Sequence, residues 1–279
     1  MTDTKAFPMM DEIPGDTNPP EEAPTTPEAA SAEAPAPEPK AGAARFAVTY
    51  LRENSATWDR ARFRKVIEKP LDAEVLSVIA HRRAVLRHYA PHPLHGSYGG
   101  NAHAGREGPG MVSSDTLAIS PAYGAVLHNL ARAADPRLIV EDGAGFGISS
   151  MYLAAATRGK EGSTLISFEI SEYARLAQAS VVLIDPGSRV VQGDFAGFAR
   201  QLAGTAQIGF AFIDAMHEKD ALLRSFKSLV GWMAPKSMIV VDDLSYSESA
   251  REGFRAMMRM EHHDFVCIVN KRFGVLIKG

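Results

Sequence analysis

Five apolar runs in the second half of the chain end on carboxylates: "RLIVE" on Glu141, "TLISFE" on Glu169, "RVVQGD" on Asp194, "IGFAFID" on Asp214, and "SMIVVDD" on Asp242 with Asp243. Acids at strand ends can accept hydrogen bonds from ligand hydroxyls and amines, or they can hold a cation. Directly after Glu141 and Asp142 stand Gly143, Gly145 and Gly147, which let the backbone turn tightly and aim a helix N-terminus at a ligand. The dinucleotide pattern G-x-G-x-x-G is not met, because Ile148 occupies its sixth position. Glu169, about 28 residues after Glu141, stands where a carboxylate can accept both hydroxyls of a ribose. Asp194 is placed to accept from an adenine amino group, with Phe195 beside it as a stacking surface. The alternative for both acids is a helix cap or a solvated loop residue. His217, three residues after Asp214, titrates nearest neutrality and suits the removal of a proton from a hydroxyl. Lys219 is the competing base, and the bland alternative is that His217 only opens a helix.

These residues need a scaffold that gathers strand ends. The five runs are apolar throughout, as strands covered on both faces are. Helical patterns separate them, for example Leu222, Phe226, Leu229, Val230 and Met233. That βαβα rhythm predicts a doubly wound parallel α/β sheet with its ligand beyond the C-terminal strand ends, where the strand order reverses. "DFVCIVNKRFGVLIKG" reads as a closing antiparallel hairpin around the polar break "NKR", which makes seven strands in all. Before the first strand, Ser120 as N-cap and Pro121 at the first helical position open a helix whose stripe is Tyr123, Val126, Leu127 and Leu130. Further upstream, Asp72 caps a helix with Val75, Val78, Ile79, Val85, Leu86 and Tyr89 on one side.

The chain divides into three parts. Residues 1–43, centred on "PPEEAPTTPEAASAEAPAPEPK", have too few large apolar side chains to offset their ordering entropy and read as a disordered, solubilising tail. Residues 44–115 form a helical or lid segment that includes the glycine- and proline-rich "PHPLHGSYGGNAHAGREGPG". Its histidines, His88, His92, His95 and His103, are irregularly spaced with no cysteine nearby, which favours substrate contact or solvent over a metal site. Residues 116–279 form the core domain.

At 279 residues and 46% hydrophobic, the chain can bury one full core. A net charge of −3 gives no basic field for a nucleic-acid backbone. The single cysteine, Cys267, excludes an internal disulfide, and its apolar setting predicts a buried, inert thiol. Neither a secretory signal nor an apolar run of membrane-spanning length is present, so a cytoplasmic protein with no membrane partner is expected.

The order E-x-G-x-G-x-G, a second-strand acid, "GD", "FIDAMH" and "IVVDD", preceded by "ISPAYG" as an S-P-x-x-G helix start, resembles the class I S-adenosylmethionine-dependent methyltransferases. More narrowly it is similar to the metal-dependent small-molecule O-methyltransferases of the catechol and caffeoyl-CoA type and their macrolide-tailoring relatives, over about Leu117 to Gly279. The resemblance implies S-adenosylmethionine held by Glu141 and the three glycines at its methionine end, by Glu169 at its ribose, and by Asp194 with Phe195 at its adenine. It further implies a divalent ion on Asp214, Asp242 and Asp243. Three carboxylates without sulfur make a hard oxygen site suited to Mg²⁺, Ca²⁺ or Mn²⁺, although "VDDL" could equally begin a loop. The implied reaction is O-methylation of a small-molecule acceptor, with Asp214 and His217 as the catalytic pair, in a family that often dimerises. Two departures stand out: His217 falls where the catechol-type enzymes carry a lysine, and Asp142 falls where the family usually has an aliphatic residue. Strand alternation aims Asp142 at the face opposite Glu141, where only a basic side chain from residues 45–111 offers it a partner. A non-catalytic methyltransferase-like binding module and a nucleotide-dependent oxidoreductase are the rival readings.

Overall fold

The computed structural model describes residues 46–88, 92–93, 111–112, 114–201, 207–214 and 216–279. The expected tail and the loop carrying His95 and His103 lie outside these residues, as does Tyr89. Two helices open the described chain after a strand: β1 (Val48–Glu53), α1 (Arg60–Ile67) and α2 (Ala73–Arg87). A two-residue ladder, β2 (His92–Pro93) with β3 (Met111–Val112), and a short helix α3 (Ser114–Leu117) lead to α4 (Pro121–Ala134). The alternating core follows as β4 (Leu138–Asp142), α5 (Ile148–Thr157), β5 (Thr164–Glu169), α6 (Ala174–Val181), β6 (Arg189–Gln192), β7 (Ile208–Ile213), α7 (Lys219–Leu229), β8 (Met233–Val241), α8 (Glu248–Met260), β9 (Phe265–Val269) and β10 (Phe273–Ile277).

Among the described residues, eight of the strands form one sheet in the order β1-β9-β10-β8-β7-β4-β5-β6, apart from the β2–β3 ladder. From β8 to β6 every pairing is parallel, while β10 runs antiparallel to both β8 and β9. All seven expected strands are present, with the last one antiparallel. The eighth, β1, pairs antiparallel with β9 at the edge. The chain runs outward from β4 through β5 to β6, then returns to lay β7 on the other side of β4, and this reversal opens a crevice beyond the β4 and β7 ends.

Alternation sorts the core onto two faces. Ile139, Leu165, Phe210, Phe212 and Val240 pack towards α4 and α5, and Val140, Ile166, Ala211, Ile213 and Val241 towards α7 and α8. Cys267 is buried on β9, where desolvation pushes its thiol well up. The expected caps form: Asp72 accepts from Glu74 N at 2.8 Å, and Ser120 accepts from Tyr123 N at 3.5 Å with Pro121 following. Gly124 is required because α4 lies directly on Tyr152 of α5; a Cβ there would stand 2.2 Å from the ring. No described helix is long and apolar enough to cross a membrane.

Candidate active site

Backbone hydrogen bonds bring three strand ends side by side. Asp214 N donates to Asp142 O at 2.8 Å, and Asp242 N donates to Ile213 O at 3.0 Å, so Asp142, Asp214 and Asp242 close β4, β7 and β8 in step. On the other side of β4, Gly143 and Ala144 both donate to Phe168 O, and Gly193 donates to Glu169 O at 3.0 Å, tying in β5 and β6. The glycine-rich turn has positive φ at Gly143, Gly145 and Gly147. Gly147 cannot be replaced cheaply, since a Cβ there would lie 2.7 Å from the Cα of Ala177 on α6.

Beyond β4, β5 and β6 lies a cleft open to solvent. Glu169, Asp194 and Phe195, all expected at the site, line it together with Gly143. Glu169 is already engaged: Oε2 accepts from Gly145 N at 2.8 Å, and Oε1 accepts from Ser171 N at 2.9 Å and from Ser171 Oγ at 2.5 Å. A carboxylate offers about four acceptor positions, so Glu169 ties the glycine turn to β5 and keeps room for about one further donor. Asp194 is exposed, and its Oδ1 accepts from Ala196 N at 3.0 Å. Phe195 is a buried wall rather than an open platform, stacked 5.1 Å from Phe198 and edge-on to Phe168. The open apolar surface belongs to Ile170, 47% exposed and directly after Glu169. Its place next to a strand-end acid was the available sequence signal.

The paired acids before Gly143 separate as strand alternation requires. Glu141 faces β5 Ser167 and the start of α5 and is fully buried. Its Oε2 accepts from Ser150 Oγ, and from Ser167 Oγ at 2.5 Å, while Oε1 has no partner. Burial pushes its pKa up. Asp142 faces α7 and lines the cleft. Its partner is not a basic side chain from residues 45–111: Ser225 Oγ on α7 donates to Oδ2 at 2.5 Å. A hydroxyl supplies the hydrogen bond, and burial, with Asp194 and Glu169 nearby, lifts the Asp142 carboxyl to about 7.

Across the switch point, Asp214, His217 and Asp243 each offer a ligand atom within 4.8 Å of the others. His217 Nε2 stands 3.6 Å from Asp243 Oδ2, its Nδ1 is buried without a partner, and the Tyr246 ring lies 5.2 Å from the imidazole. Asp243 reaches inward because its backbone leaves the strand in the left-handed region, at φ 52°. Burial, and then Asp242 and Asp243, push the Asp214 carboxyl well above the usual range. Lys219 turns to Glu252 on α8 at 3.3 Å, away from this group.

Asp242 stands apart from its neighbours. It is fully buried, and the Arg272 guanidinium grips both its oxygens, Nε to Oδ1 at 2.6 Å and Nη2 to Oδ2 at 2.7 Å. Asp243 N adds a third bond to Oδ1 at 2.6 Å. Asp214, Asp242 and Asp243 therefore do not fit a divalent ion as a set, since the oxygens of Asp242 are already taken by a cation. Arg272 went unnoticed in the sequence because it lies in the turn read only as a polar break.

The methyltransferase-domain family matches residues 140–244, from β4 to just past Asp243. Among solved structures the chain is similar to the cofactor-bound Rv0187 from MTB (18% identity over 74% of this chain and 90% of that one, TM-score 0.52). It is also similar to the O-methyltransferase of Bacillus cereus in complex with SAH (18%, 80% and 99%, 0.50). A third likeness is to the SAH-bound methyltransferase PaMTH1 of Podospora anserina (14%, 75% and 97%, 0.51). No curated protein matches the chain in sequence. Residues 140–244 therefore match a methyltransferase-domain family, and the chain shares the fold of these solved methyltransferase structures.

Proposed function

We propose that the protein transfers a methyl group from S-adenosylmethionine to an oxygen of a small-molecule acceptor. The observation that carries this reading is the division of one crevice. A cleft with Glu169, Asp194 and Ile170 lies on one side of β4, and an imidazole held by carboxylates lies on the other.

The residues fit the cofactor. Glu169 has room for a ribose hydroxyl, Asp194 for an adenine amino group, and Ile170 offers apolar surface to a flat ring. The glycine turn suits the methionine end, whereas Glu141, buried beneath α5, does not line the cleft and braces the turn from behind. When bound, S-adenosylmethionine supplies a methyl group already activated by its positive sulfur. The chain's task is then to align an acceptor oxygen and receive its proton.

His217 is that proton's destination. Asp243 Oδ2 stands 3.6 Å from Nε2, and Tyr246 covers the ring on one side. As the oxygen–carbon bond forms and the sulfur–carbon bond breaks, the hydroxyl proton passes to His217, leaving a thioether and a methyl ether. Asp214, held towards its protonated form, can hydrogen-bond the acceptor oxygen without setting another negative charge against it. No step here uses a metal, in keeping with the engaged Asp242.

The test is a methyl-donor assay against a panel of hydroxyl acceptors, run with wild type and His217→Gln. The variant is expected to lose turnover by roughly 10²- to 10⁴-fold while keeping its affinity for S-adenosylhomocysteine. Wild-type turnover in the variant would remove His217 from the base role, and no turnover with any acceptor would leave the methyl-transfer reading unsupported.

A further inference from the structure

The environment of Arg272 goes beyond an ordinary strand-end ion pair. Its guanidinium forks onto both oxygens of Asp242, and its Nε also lies 3.2 Å from Asp243 Oδ1. The plane rests on the Tyr123 ring of α4, 4.8 Å from the centroid, and lies 5.8 Å from that of Phe273. Its carbonyl accepts from Leu244 N at 3.0 Å, fixing the β9–β10 turn against the residue that follows Asp243. Position, plane and hydrogen bonds are thus set by three separate elements. A planar fork held in this way matches a carboxylate far better than a mobile ammonium does.

A divalent ion at the same strand ends would bind those same oxygens at about 2.0–2.6 Å. It would then stand next to a guanidinium already bonded to them. Of the two remaining carboxylates, Asp214 and Asp243, the second is shared between Arg272 through Oδ1 and His217 through Oδ2. Positive charge has therefore been built into the chain where the resemblance calls for it to be recruited from solution.

We propose that Arg272 is the resident cation of this site, a positioning residue that stands in for a divalent ion, so that methyl transfer by this protein needs no metal. The statement about turnover rests on the methyltransferase reading above. The statement about ion binding does not.

The test uses the full chain and Mn²⁺ alone, with free Mn²⁺ followed by its electron paramagnetic resonance signal. Wild type is expected to leave that signal unchanged. Arg272→Met, which keeps the unbranched stem of the side chain without its charged head, is expected to gain about one Mn²⁺ per chain by freeing a third carboxylate, and Arg272→Met with Asp242→Asn is expected to lose it again. Uptake of Mn²⁺ by wild type, abolished in Asp214→Asn, would overturn the proposal, and so would a folded Arg272→Met protein that takes up none. Should Arg272→Met not fold, the wild-type titration decides alone. In the methyl-donor assay, wild-type turnover is expected to be unchanged by EDTA, and a loss restored by Mg²⁺ would contradict the proposal. Failure to bind S-adenosylhomocysteine would count against the methyltransferase reading while leaving the Mn²⁺ result standing.

Discussion

At the scale of single residues, two adjacent acids have different roles because a strand turns successive side chains to opposite faces. Glu141 enters a cage of serine hydroxyls beneath α5, and Asp142 enters the cleft beside Ser225. Asp142 should then leave a pH signature. Its carboxyl rises from an ordinary value of about 3.9 to about 7, so between those limits the folded chain keeps a proton that the unfolded chain releases. Stability from this group is fully present below pH 4 and is lost as pH rises towards 7, by roughly 4 kcal/mol at most. Asp142→Asn should be more stable than wild type at pH 8 and should flatten the pH dependence of the denaturation midpoint between 4 and 7. Parallel curves for the two proteins would contradict this. The side Asp142 faces was legible from alternation alone, whereas its partner was not, because Ser225 lies 83 residues away on another element. Arg272 was hidden for a similar reason: nothing local to "NKR" points to Asp242, 30 residues earlier.

At the scale of elements, local chemistry was readable wherever a boundary is set by residues close in sequence. Asp72 and Ser120 cap the helices they were expected to cap, and the apolar runs became strands. The strand β1 was missed although "VTYLRE" alternates, since it is a single short run among helix-like neighbours. It becomes a strand through pairing with β9 and through the contacts of Tyr50 with Phe63 and Phe265. The glycine of "ISPAYG" proved to be a packing residue, as α4 crosses Tyr152 with no room for a methyl group. The ring is fully buried and cannot swing out. Gly124→Ala should therefore cost about 1–3 kcal/mol through overpacking, seen as a lower denaturant midpoint with an unchanged slope. A variant as stable as wild type would show that α4 is free to shift away from α5.

At the scale of the whole molecule, the switch point does the organising. Because β7 returns beside β4, residues far apart along the chain meet in one crevice, with Glu169 and Asp194 to one side and His217 with Asp243 to the other. The rhythm of strands and helices made this architecture legible, and with it the meeting of Glu169 and Asp194 at one cleft. Across the switch point, long-range pairing between the closing hairpin and β8 decided which acids remained unengaged, and no spacing rule shows that in advance. The central claim is that the cleft beyond β4, β5 and β6 is built for S-adenosylmethionine. Calorimetric titration of the full chain with S-adenosylhomocysteine, and separately with NAD, tests it most directly. One molecule of S-adenosylhomocysteine bound per chain, with no heat from NAD, is the predicted result, and binding of NAD or of neither ligand would contradict it.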